Sequence, residues 1–258
     1  MSNTALVTGA SAGIGQEFAR YHAEKGGDLI ITARREEALN ALKAELEKEH
    51  GVKVHVFAQN LASAEHAQAL YDRIRKAGLS VDVLINNAGF GGQGKHIERP
   101  LEDELAMIDL NVSALVTLTH LVARDMVDAG DGKILNVAST AGFMPGPNQA
   151  VYFATKAFVK SYSDALAQEL DGTGVSVTVL APGYVETEFA DRSGRTGTKL
   201  VSGGGKTARS VAKHGYDAMR RKELVTVNEP LLGFMVNWVV PLLPRKMMLK
   251  MIERMQAK

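Results

Sequence analysis

Thr4-Ala-Leu-Val-Thr8, followed at once by Gly9-Ala-Ser-Ala-Gly13-Ile-Gly15, is the stretch on which the reading of this chain turns. A short β-rich run leads into three closely spaced glycines, and a helical pattern then begins, from about 14 to 25. Gly9, Gly13 and Gly15 let the backbone turn sharply, let a pyrophosphate approach, and let the helix pack close to a sheet. The helix N-terminus offers free N–H groups to the anion, with Ser11, Ala12 and Ile14 completing the loop. Three glycines alone are a weak signal. Their place between a strand and a helix favours a dinucleotide site over a plain structural turn.

Outward from this stretch the chain alternates β-rich runs with longer helical patterns. Strands are expected at Thr4 to Thr8, Asp28 to Ala33, Val52 to Ala58, Val81 to Asn86, Lys133 to Ala138, Val175 to Ala181 and Leu224 to Val227. Helices are expected at 35–50, 63–77, 101–129, 150–171 and 205–221. Continuous apolar strands separated by amphipathic helices indicate a parallel sheet covered on both faces. The fold class is therefore α/β: one doubly wound Rossmann domain with a sheet of about seven strands. Residues 1–228 would carry dinucleotide binding and catalysis, and 229–258 a helical tail of the same domain.

Composition narrows the function. The 258 residues suffice for a large core, and a net charge of +1 gives no reason to invoke nucleic acid. With no cysteine, disulfide and thiolate chemistry are excluded, which suits a reducing compartment. Nothing at the N-terminus resembles a signal peptide, and no uninterrupted apolar run reaches the roughly 20 residues that span a bilayer, so a cytoplasmic protein, at most peripheral to a membrane, is expected. The seven histidines are scattered and no metal-ligand spacing appears, so they read as ordinary surface or partly buried residues and no metal is implied.

Chemistry concentrates between Ser139 and Lys156. Tyr152 and Lys156 are four apart on a helix and share a face. A phenol has a pKa of about 10, and a cation within roughly 4 to 6 Å favours its ionised form, so such a tyrosine can exchange a proton with an alcohol or carbonyl oxygen. Ser139 ends a strand, where open α/β sheets place their ligands. A lone Tyr-x-x-x-Lys is common by chance, and only the glycine loop gives it weight.

The second strand ends Ile31-Thr-Ala-Arg-Arg-Glu36, without the acidic residue that an NAD site uses to hold the ribose 2′-hydroxyl. Arg34 and Arg35 could instead pair with a 2′-phosphate, which argues for NADP(H). Arg35 also reads as a partner for the neighbouring glutamates at an exposed helix start.

These motifs, with Asn86-Asn-Ala-Gly89, Asn111, and Pro182-Gly183 followed by Thr187, make the chain resemble the short-chain dehydrogenase/reductase family from about residue 4 to 190. More closely, it resembles an NADP(H)-preferring branch that includes long-chain 3-oxoacyl and hydroxysteroid reductases. The resemblance implies that Tyr152 is the general acid/base, that Ser139 orients and polarises the carbonyl, and that Lys156 holds the nicotinamide ribose and lowers the tyrosine pKa. Asn111 would position a water linking Lys156 to solvent; its other reading is a satisfied core amide. Asn87, Ala88 and Gly89, and Pro182, Gly183, Val185 and Thr187, would contact the cofactor. Two departures stand out. Asn60 before Leu61 replaces the aspartate that often binds the adenine amino group, but its amide could still accept, so Asn60 and Leu61 are expected to keep adenine binding without a charge. The chain also runs on from Glu229 to Lys258 where many relatives end in Gly-Gly, which argues against a tetramer built on a short tail.

Substrate contacts are expected from Ser139, Tyr152, Phe143, Met144, Tyr184 and Phe189, with residues 184–206 forming a glycine-rich lid and the apolar members favouring a hydrophobic ligand. In the tail, Met248, Met251, Ile252 and Met255 fall on one helical face and Lys246, Lys250 and Arg254 on another. Such a helix could lie on an anionic lipid surface or cover a partner, or equally pack beside the substrate entrance of its own domain or in a dimer contact. The function that follows is an NADPH-dependent carbonyl reductase acting on a small-molecule carbonyl or alcohol, expected as a homodimer. The alternatives are a cofactor-recycling epimerase or dehydratase, and a non-catalytic dinucleotide sensor.

Overall fold

The computed structural model describes residues 3–189, 193, 194 and 204–256. Seven strands form one parallel sheet: β1 (Thr4–Thr8), β2 (Asp28–Ala33), β3 (Val54–Ala58), β4 (Val83–Asn86), β5 (Gly132–Val137), β6 (Val175–Leu180) and β9 (Val225–Thr226). Their order is β3-β2-β1-β4-β5-β6-β9. The chain walks outward from β1 to β3, then returns to β4 on the other side of β1, which opens a crevice at the carboxyl ends of β1 and β4. Two short strands, β7 (Val185–Glu186) and β8 (Lys206–Thr207), pair separately.

Alternation along the strands divides the core. Ala5, Val7, Leu29, Ile31, Ile85 and Leu135 point to one face, under helices α1 (Gly13–Glu24), α2 (Glu36–His50) and α7 (Ala208–Arg220). Leu6, Ile30, Leu84 and Ile134 point to the other, under α3 (Ala64–Lys76) and α5 (Leu115–Ala129). All of these strand residues are buried, which explains why the strands read as unbroken apolar runs rather than as alternating patterns. Between the second core and the tail stands α6 (Ala150–Glu169), which carries Tyr152 and Lys156.

The helix expected over 101–129 is present but not uniform. α4 (Leu101–Ile108) passes through a π-helical turn, Asp109–Ala114, before α5 begins. By length and composition Leu101–Ala129 is apolar enough to cross a membrane. Here Leu115, Leu118, Val122 and Met126 of that helix are buried, and Leu118, Val122 and Met126 belong to the core cluster that includes β4 and β5 residues.

Two polar features inside this apolar frame were not apparent from the sequence. Asn86 Nδ2 donates to Thr119 Oγ1 and to Asn136 Oδ1, each at 2.9 Å, and Asn136 Nδ2 donates to Ser163 Oγ at 2.8 Å. Asn86, Thr119, Asn136 and Ser163 are all buried, so this network ties β4, β5, α5 and α6 together beneath the site. His22 corrects the expectation of ordinary surface or partly buried histidines. It is fully buried, with Nδ1 2.7 Å from the Tyr216 hydroxyl and Nε2 3.0 Å from the Asn3 carbonyl, and burial holds its pKa below the usual value.

Asn136→Ala should lower stability by about 2 kcal/mol, because it strips buried Asn86 of one acceptor and buried Ser163 of its donor. Urea denaturation of the two proteins checks this; a change below about 0.5 kcal/mol would mean that the network is not under load.

Candidate active site

The crevice at the switch point is stitched by Thr8, the last residue of β1. Its Oγ1 accepts from Asn87 N–H at 3.0 Å and Ala88 N–H at 2.9 Å, while Asn87 Nδ2 donates back to the Thr8 carbonyl at 3.0 Å. Gly9 lies so close to this junction that a Cβ there would stand 3.0 Å from the Ala88 Cα, and its φ of +69° is itself a conformation that favours glycine. At Gly15 a Cβ would fall 2.4 Å from the Gly9 carbonyl oxygen, so α1 can start against the loop only with glycine there. Gly15 thus stands behind the loop and does not line the cavity, whereas Gly9, Ser11, Ala12, Gly13 and Ile14 do.

That cavity measures about 960 Å³. It is bordered at one end by Arg34, Arg35, Asn60 and Leu61, along its length by Asn87, Ala88, Gly89, Pro182, Gly183, Val185 and Thr187, and at the other end by Ser139, Tyr152 and Lys156. Residues expected to bind a dinucleotide and residues expected to react with a substrate therefore share one continuous space. Arg35 departs from the neighbouring-glutamate reading. Its guanidinium donates to the Ser11 carbonyl at 3.1 Å and pairs with Glu188 at 3.4 Å, so it lies over the glycine loop rather than along α2. Arg34 is exposed at the cavity edge and, among the described residues, has no ion-pair partner.

Tyr152 and Lys156 are held by burial. Tyr152 is 4% exposed, its ring edge-on to Phe153 and 5.8 Å from that of Phe189. The Lys156 ammonium donates to the Val137 carbonyl at 2.9 Å and sits 5.9 Å from the centre of the Tyr152 ring. Burial alone pushes its pKa down from 10.5 to about 8. Nearby, a Cβ on Gly89 would come 3.5 Å from Lys156 Nζ and 2.9 Å from Asn111 Oδ1, which leaves no room for any other residue. Ser139, at the end of β5, accepts from the Ala141 N–H at 3.2 Å and begins the turn Thr140–Phe143.

Asn111 is placed by the π-helical turn. Its Oδ1 accepts from the Phe90 N–H at 3.0 Å, and its Nδ2 donates to the Phe90 carbonyl at 2.9 Å and to Thr155 Oγ1 at 3.1 Å. The side chain is therefore a clamp joining the loop after β4 to α6, one layer behind the cavity. Such a turn re-aims one residue of a helix, and π-turns recur at functional sites for that reason.

Of the expected substrate contacts, Met144, Tyr184 and Phe189 line the cavity. Phe143 does not; it turns outward, its ring 5.2 Å from the Lys160 ammonium. The lid expected at 184–206 has its two ends joined by the β7–β8 pair, Val185 opposite Lys206, but its glycines Gly197 and Gly203 and most of its span lie outside the described residues. Of the placements open to the tail, the structure shows the one beside the cavity of its own domain, and the residues it contributes there were not named as such from the sequence. Leu232 from α8 (Pro230–Phe234), and Ile252, Met255 and Gln256 from α9 (Arg245–Gln256), line the cavity with Phe90 and Phe153. The apolar spacing of α9 was the available signal, though it could not say which surface the helix covers. Of its apolar face Met248 and Ile252 are buried, whereas Met251 and Met255 are each 39% exposed.

A doubly wound sheet with a glycine-loop crevice and a Tyr–Lys pair in the same cavity defines a nucleotide-dependent oxidoreductase. The family model for short chain dehydrogenases matches residues 3–197, and the chain belongs to that family. It is 40% identical over 191 residues to sulfoacetaldehyde reductase 2 of Chromohalobacter salexigens, covering 73% of this chain and 75% of that protein. Among solved structures it resembles a short-chain dehydrogenase from Sphingobium yanoikuyae in complex with NADPH, at 33% identity and a TM-score of 0.83 over 90% of this chain and 89% of the other. It also resembles a bulky-bulky ketone specific alcohol dehydrogenase from Comamonas testosteroni, at 30% identity and a TM-score of 0.77 over 88% and 86% of the two chains.

Lys156→Met should stabilise the nucleotide-free protein near pH 7, because it removes a buried cation that has no carboxylate partner among the described residues. Below pH 8 the cost of burying that charge is present in full. Between about 8 and 10.5 the folded protein binds fewer protons than the unfolded one, so the wild type should gain on the variant as pH rises. Thermal unfolding of both proteins from pH 7 to 11 reads the gap; a gap independent of pH would refute the burial account.

Proposed function

We propose that the protein is an NADPH-dependent carbonyl reductase, with Tyr152 giving the substrate oxygen its proton. The observation that carries this reading is the shared cavity: the glycine loop and Arg34 border the same space as Ser139, Tyr152 and Lys156. The fit to a dinucleotide rests on the glycine positions, where a side chain would strike the backbone of the loop or of the β4 end, and on two guanidiniums at the ribose end in place of a carboxylate. When bound, NADPH supplies the hydride that reduces the carbonyl carbon.

The chain's own residues do the rest. Ser139 Oγ donates to the carbonyl oxygen and orients it. Tyr152 transfers its phenolic proton to that oxygen as negative charge develops there. Lys156 favours the phenolate left behind, and its low pKa lets it return a proton near neutral pH. Asn111 holds Phe90 and Thr155, and through them the two segments that face each other across the reacting carbon. The role of Asn111 in positioning a water remains part of the family reading.

The substrate is a ketone or aldehyde with an apolar body. Phe90, Met144, Phe153, Phe189, Ile252 and Met255 line the cavity with Tyr152, and an apolar body set against them is removed from water. Leu101, Leu105 and Phe158 leave apolar surface exposed on α4 and α6, which supports a homodimer. The tail serves as a wall of the cavity, since Met248 and Ile252 are buried in its own domain.

Tyr152→Phe should reduce turnover of ketones and aldehydes with NADPH at least a thousandfold while NADPH affinity changes less than threefold; loss of NADPH binding would make the residue structural. Arg34→Asp should move the preference towards NADH by tenfold or more, read as the ratio of the two dissociation constants. An unchanged ratio would take the 2′-phosphate away from Arg34.

A further inference from the structure

Three glutamine side chains meet at the edge of the cavity, and nothing in the reaction above uses them. Gln149 directly precedes α6, three residues before Tyr152, and is 2% exposed. Its Nε2 donates to Gln93 Oε1 at 2.6 Å and to Gln256 Oε1 at 2.5 Å. Gln93 Nε2 donates in turn to the backbone carbonyl of Gln256 at 2.8 Å. The cluster is anchored further out, where Arg99 Nη1 donates to the Gln93 carbonyl at 3.3 Å and Arg99 pairs with the buried carboxylate of Glu104.

The hydrogen bonds also orient the amides. Because the Gln256 backbone carbonyl can only accept, Gln93 must turn its NH₂ towards it and its Oε1 towards Gln149. Gln149 must then present its NH₂, with both N–H groups engaged, and its own Oε1 is buried without a partner among the described residues. A carboxylate at Gln149 would face the Gln93 Oε1, which the Gln256 backbone carbonyl holds in that orientation.

These three residues belong to three segments that wall the cavity. The loop after β4 carries Phe90 and Gly91, α6 carries Tyr152 and Phe153, and the last turns of α9 carry Ile252, Met255 and Gln256. The apolar contacts of α9 in this region come from Met248 and Ile252, which cluster with Met107, Phe153 and Val240. The amides are the polar attachment at its free end.

We propose that Gln149 is a positioning residue that latches α9 over the substrate half of the cavity, and that Met255 and Ile252, held there by the latch, set the largest ketone the enzyme accepts. This rests on the carbonyl reductase reading for its substrate, but not for the latch itself. Without the amide contacts the end of α9 lifts, and the wall opposite Tyr152 recedes.

The test uses the full chain as Gln149→Glu and as Met255→Ala. Trypsin reads the latch directly, since Lys246, Lys250 and Arg254 all lie on α9. Gln149→Glu should be cut there at least tenfold faster than wild type at pH 8.5, with NADPH affinity within twofold. With a series of methyl ketones of increasing bulk, both variants should raise kcat/KM for the bulkiest member relative to the smallest by fivefold or more. Wild-type trypsin sensitivity in Gln149→Glu would overturn the latch, whether or not any ketone is turned over. A size profile unchanged in Met255→Ala, with the wild type active on the series, would overturn the specificity role, and Met255→Ala alone decides that point if Gln149→Glu does not fold.

Discussion

The arrangement depends first on the reversal of strand order between β1 and β4. A sheet that winds outward from β1 in both directions must leave a crevice where the two windings part, since the connections from neighbouring strands leave in opposite directions. In this protein the crevice is kept narrow by one hydroxyl. Thr8 Oγ1 satisfies two N–H groups of the loop that follows β4, and so brings Asn87 and Ala88 against Gly9. The glycines of the first loop are a consequence of that closeness as well as a provision for an anion: Gly9 and Gly15 sit where a side chain would strike the backbone of the loop or the Asn87 amide.

Around the reacting centre the structure spends packing energy to hold charge and amides in unfavourable places. Lys156 is buried with a carbonyl as its hydrogen-bond partner and, among the described residues, no carboxylate, and burial keeps its pKa near 8. Asn111 sits in an otherwise apolar helix and is satisfied only because the π-helical turn aims it at Phe90 and Thr155. Beneath both lies the Asn86–Asn136–Ser163 network, which couples the strands to α6. Each buried polar group is costly by itself and tolerable as part of a connected set.

The tail changes character once it is seen folded. As a sequence it is a basic amphipathic helix with no stated partner. In the structure α9 returns to the body of the domain, buries Met248 and Ile252, and closes one side of the cavity. On its outer side Met247, Met251 and Met255, four apart and so on one helical face, keep apolar surface exposed. Ile252 and Met255 of α9 thereby add an apolar wall to the cavity that the glycine loop borders.

Sequence alone determined the sheet, its helices and the cofactor loop, because those signals are local: unbroken apolar runs mark strands buried on both faces, and glycines at a strand-to-helix junction mark an anion site. It also placed Ser139, Tyr152 and Lys156, since residues four apart on a helix must share a face and a strand end must open on the crevice. Tertiary structure decided what depends on contacts between distant segments. Phe143, next to Met144 in sequence, turns away to Lys160, and Arg35 leaves its helix to lie over Ser11. Gln93, Gln149 and Gln256 are separated by up to 163 residues, and no periodicity connects them. Their meeting follows from where the loop after β4, the start of α6 and the end of α9 come together, which is set by the packing of the whole domain.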